Sequence, residues 1–373
     1  MLYIGYSSLG SAQDESSYSR PMKRRSLEAA ARDAKQSKIS GFFAASAKTS
    51  QPSKPSDPKD EAAESSSTTV KSTVQSTALA QNASSAVALR NGVALPVLGF
   101  GTYRLGRQAQ GIVAEALKAG YRLIDTAQVY DQGSIESAVG AALRHSGLPR
   151  SSVFISTKVW RSSHGFEKTL QACQQSLKRL EVDYIDLYLV HWPGPQPSNS
   201  KAWSPQTRQE TWRAMEKLLR DGKVKAIGVC NHSIRHLKDL LKSCEIQPMV
   251  NQVEFHPLLV QSELLDYCVG EGIAVQAFAS LGSGDSRRAR DFFALPAVQL
   301  AARAHGAQPA AVLLRWATQK GCHVIPKSSQ PLRMKQNAEL FNITLSEQEM
   351  QAIDACHTNA RLTWGGVDPD TIE

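Results

Sequence analysis

The chain has 373 residues, 42% of them hydrophobic, with 43 Lys and Arg against 34 Asp and Glu, a formal net charge of +9. That length suits one large domain or two ordinary ones. The positive surplus is too small and too dispersed for a nucleic-acid-binding stripe, and no apolar run approaches a bilayer span, so neither direct nucleic-acid binding nor membrane insertion is expected.

Residues 1–86 are rich in Ser, Ala, Lys, Gln and Pro, and "SKPSDPKDEAAESSSTTVKSTVQSTALAQNASS" carries neither a helical nor a strand period. Such a segment cannot bury enough apolar surface to offset its ordering entropy, so a disordered N-terminal tail is expected. Its start lacks a basic n-region, which argues against a secretory signal. "MKRRSLEAAARDAKQ" would form a short basic helix and leaves a transit peptide open if translation begins at Met22, although Glu28 and Asp33 oppose it. The six cysteines (Cys173, Cys230, Cys244, Cys268, Cys322 and Cys356) are scattered without a C-x-x-C. They read as reduced thiols of an intracellular protein, neither a disulfide framework nor a zinc site. The cytoplasm is the expected compartment, with nucleus or organelle left open through the tail.

From residue 87 onward, short apolar runs alternate with amphipathic segments. "ALRNGVAL" comes first, its Asn-Gly between apolar residues predicting a hairpin that plugs the bottom of the fold. The strand-like runs are "VLGFGTY", "RLIDTAQVY", "VFISTKVW", "DYIDLYLVHWP", "VKAIGVCNHS", "PMVNQVEFHP", "IAVQAFASLGSG" and "CHVIPKSS". A helical pattern follows each of the eight, "LPAVQLAARAHGAQPAAVLLRWATQKG" being the longest. "LSEQEMQAIDACH" falls outside this count. Runs apolar on both faces and joined by helices imply parallel strands covered on all sides. Eight such units in one 87–373 domain predict an α/β fold, a closed (β/α)8 TIM barrel. The rival, a doubly wound open sheet in its dinucleotide-binding form, needs G-x-G-x-x-G after the first strand, and "GFGTYRLG" does not supply it.

In such a barrel the reaction site lies at the C-terminal ends of the strands. The second run places Asp125 there, the third Lys158 and the fourth His191, with Tyr130 five residues past Asp125. Singly, each reads as a solvated or capping residue; at one rim of neighbouring strands they suit acid catalysis. An ammonium beside the phenol would favour phenolate and lower its pKa, an aspartate would hold the lysine, and the imidazole would orient a carbonyl. That grouping suits protonation of an oxygen while hydride reaches carbon, and it calls for no metal. His232 and His236, four residues apart without a third ligand, read as an ordinary helix face. At the last strand, "VIPKSSQPLRMKQN" puts Lys327 and Arg333 beside Ser328 and Ser329 at a helix start. Two cations there favour a 2′-phosphorylated adenosine, the alternative being a solvated basic helix start.

These motifs in this order resemble the aldo/keto reductase family over about residues 87–373, with a short-tailed, microbial-type C-terminus. The resemblance implies NADPH-dependent reduction of aldehydes and ketones, with Tyr130 as proton donor and Asp125, Lys158 and His191 completing a tetrad. It further implies NADP contacts from Gly101, Thr102, Asp125, Asn231, Gln252, Phe278, Leu281, Ser283, Lys327, Ser328, Arg333 and Asn337. Phe278 stands where the family usually has Tyr, Cys230 where Ser is common, and Gln336 where an acid often contacts adenine. His191 in place of the Glu of double-bond reductases points to carbonyl chemistry. Trp160 and Trp192, with Trp203, are expected to line an apolar substrate pocket beside His191. The short tail "RLTWGGVDPDTIE" is expected to leave that pocket open to small aldehydes, methylglyoxal-like dicarbonyls, sugar-derived ketones or prostaglandin endoperoxides. A monomer is expected.

The tail holds a second resemblance. Gln36–Phe43, "QSKISGFF", is similar to the box by which proteins dock on the replication sliding clamp. A 3₁₀ turn would set Ile39, Phe42 and Phe43 on one side as a plug. This makes the clamp a candidate partner, and a clamp-docking or cofactor-sensing scaffold the alternative function; a stray Phe pair in a linker is the plainer reading.

Overall fold

The computed structural model describes residues 82, 84–195, 205–283 and 286–372. The tail with its Gln36–Phe43 box, and Trp203, lie outside the described residues.

The hairpin comes first: β1 (Ala86–Ala88) pairs antiparallel with β2 (Ala94–Pro96), Val87 opposite Leu95. Gly92 turns the chain at φ +83°, a left-handed conformation that glycine adopts without a Cβ clash. Asn91 Nδ2 donates to Lys225 O at 2.9 Å, while Arg90 reaches Gln247 and the carbonyl of Glu271. Each of these three partners shortly precedes a barrel strand, so the hairpin covers the N-terminal end of the barrel, as expected of a plug. Its first strand takes up Ala86, which the composition of 1–86 had assigned to the tail.

Eight strands follow: β3 (Phe100–Gly101), β4 (Leu123–Asp125), β5 (Phe154–Val159), β6 (Leu187–Val190), β7 (Ile227–Cys230), β8 (Val250–Glu254), β9 (Ala274–Phe278) and β10 (Cys322–Val324). Each is parallel to the next, in chain order. A parallel bridge from Leu98 to Val324 closes the ring, and Val324 N donates to Val97 O and Gly99 N to Val324 O, both at 2.8 Å. Gly101 sits at this seam, where a Cβ would lie 2.8 Å from Ile325 O. The expected (β/α)8 barrel is the observed fold. β5 is buried along its whole length, as a strand covered on both faces must be.

The helices are α1 (Ala109–Lys118), α2 (Ser134–His145), α3 (Phe166–Leu180), α4 (Pro205–Arg220), α5 (Ile234–Ser243), α6 (Ser262–Gly270), α7 (Ser286–Phe293), α8 (Pro296–Ala304), α9 (Pro309–Gln319), α10 (Pro331–Ala338) and α11 (Glu347–Asp354). Two departures from the sequence expectation stand out. The long pattern from Leu295 to Gly321 is two helices, because Gly306 at φ +58° ends α8 and Pro309 opens α9. The arginine-rich α7, "SRRARDFF", was not anticipated at all. α11 lies outside the eightfold count, as expected. Among the described residues, no helix is long and apolar enough to cross a membrane.

Candidate active site

Parallel register brings the ends of β4, β5 and β6 side by side, with Asp125 opposite Ser156 and Lys158 opposite Leu189. Asp125 and Lys158 are buried, and Lys158 Nζ donates to Asp125 Oδ1 at 2.6 Å and to Thr126 O at 2.8 Å. Asp125 Oδ2 accepts from Ser156 Oγ at 3.0 Å and from Gln252 Nε2, on the far side of the barrel, at 2.9 Å. Gln252 Nε2 also donates to Gln276 Oε1 at 2.6 Å. The floor of the site is thus one hydrogen-bonded network spanning the barrel interior.

Above it, Tyr130 is set by a tight turn straight after β4. Its amide donates to Ala127 O at 3.0 Å, and Asp131 and Gln132 beside it take positive φ values of 47° and 56°. Lys158 Nζ lies 5.3 Å from the Tyr130 ring centroid. The phenol does not behave as the sequence suggested. Burial, then the charges of Asp125, Cys230 and Tyr103, push Tyr130 well above its ordinary value, so the lysine does not carry it toward phenolate. Tyr130 is therefore protonated at neutral pH, the form a proton donor needs. His191 follows β6 directly. Burial first, then Lys158, Arg161 and His164, hold its pKa well below 6.5, and a neutral imidazole results. Among the described residues its buried Nδ1 has no hydrogen-bond partner.

Aromatic rings enclose this group. His191 meets Tyr130 edge-on at 6.0 Å, Trp160 at 5.0 Å and Trp364 at 5.5 Å. Trp364 also stands 5.7 Å from Trp160, 5.9 Å from Trp192 and 5.8 Å from Tyr103, whose ring is 5.1 Å from Tyr130. Trp160 and Trp192 are thus beside His191 as expected. Trp364 and Tyr103 were missed. The short tail brings Trp364 beside these rings, and the two residues before it, Leu362 and Thr363, are hydrogen-bonded to Glu254 at the end of β8.

The other strand ends of the same rim carry the other expected residues. Thr102 Oγ1 donates to Asp125 O at 2.8 Å, joining the β3 turn to the tetrad strand, and Gly101 N donates to Pro326 O at 3.0 Å. Asn231, at φ +59°, donates from Nδ2 to His191 O at 2.9 Å, with Cys230 Sγ 3.3 Å away. Phe278, Leu281 and Ser283 follow along the end of β9, Ser283 at φ +54°. Lys327 and Ser328 leave β10, and Ser328 Oγ accepts from Gln330 N at the start of α10. Arg333 is exposed and Asn337 buried, one helical turn apart on α10. His232 and His236 are engaged in the fold: His232 Nδ1 lies 3.0 Å from Cys230 O, and His236 joins Ser233 in capping α5.

A family model, described as the aldo/keto reductase family, matches residues 97–358. The chain belongs to the aldo/keto reductase family. It is 43% identical over 288 residues to the glyoxal reductase of Bacillus subtilis (strain 168), covering 77% of this chain and 96% of that protein. It is 42% identical to the 9,11-endoperoxide prostaglandin H2 reductase of Trypanosoma cruzi (strain CL Brener), covering 77% and 95%. The crystal structure of a Bombyx mori aldo-keto reductase in complex with NADP matches with a TM-score of 0.67 at 31% identity, covering 74% of this chain and 94% of that one.

Aldo/keto reductases use a nicotinamide cofactor, and the residues of this rim fit one. Burial and then the nearby Arg104 lower the pKa of Lys327, so two cations lie close together. No carboxylate among the described residues pairs with Lys327, Arg104 or Arg333. Among the described residues the buried Ser280 Oγ, just past β9, has no hydrogen-bond partner. Unpaired cations with spare donors are the complement of a phosphate-bearing ligand.

Proposed function

We propose that this aldo/keto reductase reduces aldehydes and ketones to alcohols with NADPH, and that Tyr130 supplies the proton. The observation that carries the reading is the Tyr130 ring, 6.0 Å from His191 and 5.3 Å from Lys158 Nζ, beside a buried Lys158–Asp125 pair at one rim. When bound, the reduced nicotinamide supplies a hydride to the carbonyl carbon. The chain's own residues do the rest. His191 orients the carbonyl oxygen, and Tyr130 gives its proton to that oxygen as negative charge develops there. Lys158, held by Asp125 and Thr126, makes the resulting phenolate less costly by its charge.

Asn231 and Gln252 would face the nicotinamide carboxamide, and Phe278 would stack on its ring. Gly101, Thr102, Leu281 and Ser283 would line the pyrophosphate path, while Lys327, Ser328, Arg333 and Asn337 would clamp the adenosine 2′-phosphate. Trp160, Trp192 and His191 would border the substrate. The glyoxal reductase and prostaglandin-endoperoxide reductase relatives, each more than 40% identical, support small carbonyl or peroxide-bearing substrates.

The test is the loss of NADPH absorbance with a dicarbonyl and an activated aromatic aldehyde. We expect turnover, a preference for NADPH over NADH, and a fall of about 10³-fold in kcat for Tyr130→Phe with cofactor affinity unchanged. A Tyr130→Phe protein that keeps wild-type kcat would overturn the assignment of the proton donor.

A further inference from the structure

Glu254 closes β8 with a carboxylate only 5% exposed, and all its hydrogen bonds come from two places. Oε1 accepts from Leu362 N at 2.7 Å, Thr363 N at 3.2 Å and His256 Nε2 at 3.0 Å; Oε2 accepts from Thr363 Oγ1 at 2.5 Å. Three of these four donors belong to the two residues just before Trp364. Burial pushes the Glu254 carboxyl up, yet the hydrogen bonds, His256 foremost, hold it below the usual carboxylate value, so it is ionised.

The rest of the C-terminal strand of chain is laid along the loop that follows β8. Thr358 N and Ala360 N both donate to Leu258 O, at 3.2 and 3.0 Å, and Val260 N donates to His357 Nδ1 at 3.1 Å. Beyond Trp364, Arg235 and His236 of α5 hold Ile372 O at 2.9 and 2.7 Å. The segment bearing Trp364 is therefore pinned on both sides. Its tightest pin is a buried carboxylate with charge-assisted bonds, roughly twice as strong as neutral ones.

We propose that Glu254 is a positioning residue that sets substrate selectivity: through Leu362 and Thr363 it holds Trp364 against His191. The site then admits short aliphatic aldehydes and 1,2-dicarbonyls and disfavours carbonyls with a bulky ring. The proposal rests on the carbonyl-reductase reading of this site. An indole fixed within 6 Å of His191, Trp160, Trp192 and Tyr103 occupies the space a large substituent would need. The same indole gives a small substrate an apolar wall. A wall of this kind discriminates by roughly 10- to 200-fold.

The experiment compares wild type, Glu254→Gln, Trp364→Ala and the double variant, using methylglyoxal and a bulky aryl ketone with NADPH. In Glu254→Gln one acceptor becomes a donor facing donors. We expect the methylglyoxal-to-ketone ratio of kcat/KM to fall about tenfold, through KM for methylglyoxal, with its kcat and the NADPH Kd within about twofold of wild type. The double variant should match Trp364→Ala. Additive effects in the double variant, or an unchanged ratio in Glu254→Gln, would overturn the proposal. Amide hydrogen exchange reads the same contact without turnover: protection at Leu362–Trp364 should drop in Glu254→Gln, and retained protection would count against it. A wild-type protein with protected amides that reduces neither compound refutes the catalytic reading instead, and the selectivity proposal with it. If Glu254→Gln does not fold, Thr363→Val should shift the ratio in the same direction and Thr363→Ser restore it; no shift in Thr363→Val refutes the proposal.

Discussion

On the β4–β5 side of the barrel mouth, Asp125 uses both carboxylate oxygens, Lys158 is enclosed, and Gln252 ties the pair to Gln276 across the interior. On the β9–β10 side and the adjoining β3 turn, Lys327, Arg333 and Arg104 have no carboxylate, and Ser280 Oγ no partner, among the described residues. On the first side the carboxylate and the ammonium are both paired within the protein. The second is complementary to something the protein does not itself provide. Preorganised charge belongs where a reaction passes, since reorienting dipoles during the chemical step is costly. Unpaired donors belong where a ligand's own phosphates will finish the set.

The sharpest way to break the contrast is to unpair the finished side. Lys158→Met leaves Asp125 buried without its cation and should cost about 3–5 kcal/mol of stability, read from urea midpoints. By contrast, Lys327→Ala combined with Arg333→Ala should leave the midpoint within about 0.5 kcal/mol.

Acid should attack the fold through its buried histidines. Burial, first among the causes at each, lowers His164 to about 3 and His236 and His323 to about 4, and holds His191 and His232 well below the ordinary value. The unfolded chain takes up these protons near pH 6.5, while the folded chain does not, so stability falls as pH drops from about 6.5 toward 4. The slope is at most about 1.4 kcal/mol per pH unit for each proton that only the unfolded chain binds. Urea midpoints at pH 7, 6 and 5 would measure it, and a midpoint flat over that range would show that these imidazoles are accessible in the folded protein.

On the unfinished side, the double variant of Lys327 and Arg333 should reduce the preference for NADPH over NADH by about 10- to 100-fold, as expected on losing two charge-assisted contacts to one phosphate. The smallest effect belongs to Cys230→Ser. A hydroxyl placed between Asn231 Nδ2 and Gln252 Oε1 should tighten nicotinamide binding by less than about tenfold, detectable as a lower cofactor Kd.

The barrel and the grouping of Asp125, Lys158, Tyr130 and His191 were legible because their signals are local. Asp125 ends its strand, Lys158 lies one residue from the end of its own and His191 directly follows the next, and the parallel register aligns these ends without further information. Gly306 and Pro309 were equally local and could have split the long helix into α8 and α9. Helix α7 was not legible by pattern, as an arginine-rich eight-residue segment shows little apolar periodicity. Trp364 was illegible for a different reason. Nothing in "RLTWGG" announces a destination, and the Thr363 beside Trp364 is hydrogen-bonded to Glu254, 109 positions earlier in the chain than that threonine. The state of the Tyr130 phenol also turns on tertiary structure, since burial outweighs a cation whose presence the spacing alone could suggest.

The seam between β3 and β10 has a consequence for the history of each molecule. His323 Nδ1 meets Pro96 O across 227 residues of chain, beside the bridge that joins Leu98 to Val324. A ribosome must therefore synthesise nearly the whole protein before the ring can shut. Until then, the emerging half-barrel keeps the edge strand β3 and its apolar face open, a surface prone to pairing with other chains. Closure of so long a loop makes the last step of folding slow relative to formation of the local βα units. Chaperone demand during translation should accordingly peak just before β10 leaves the exit tunnel.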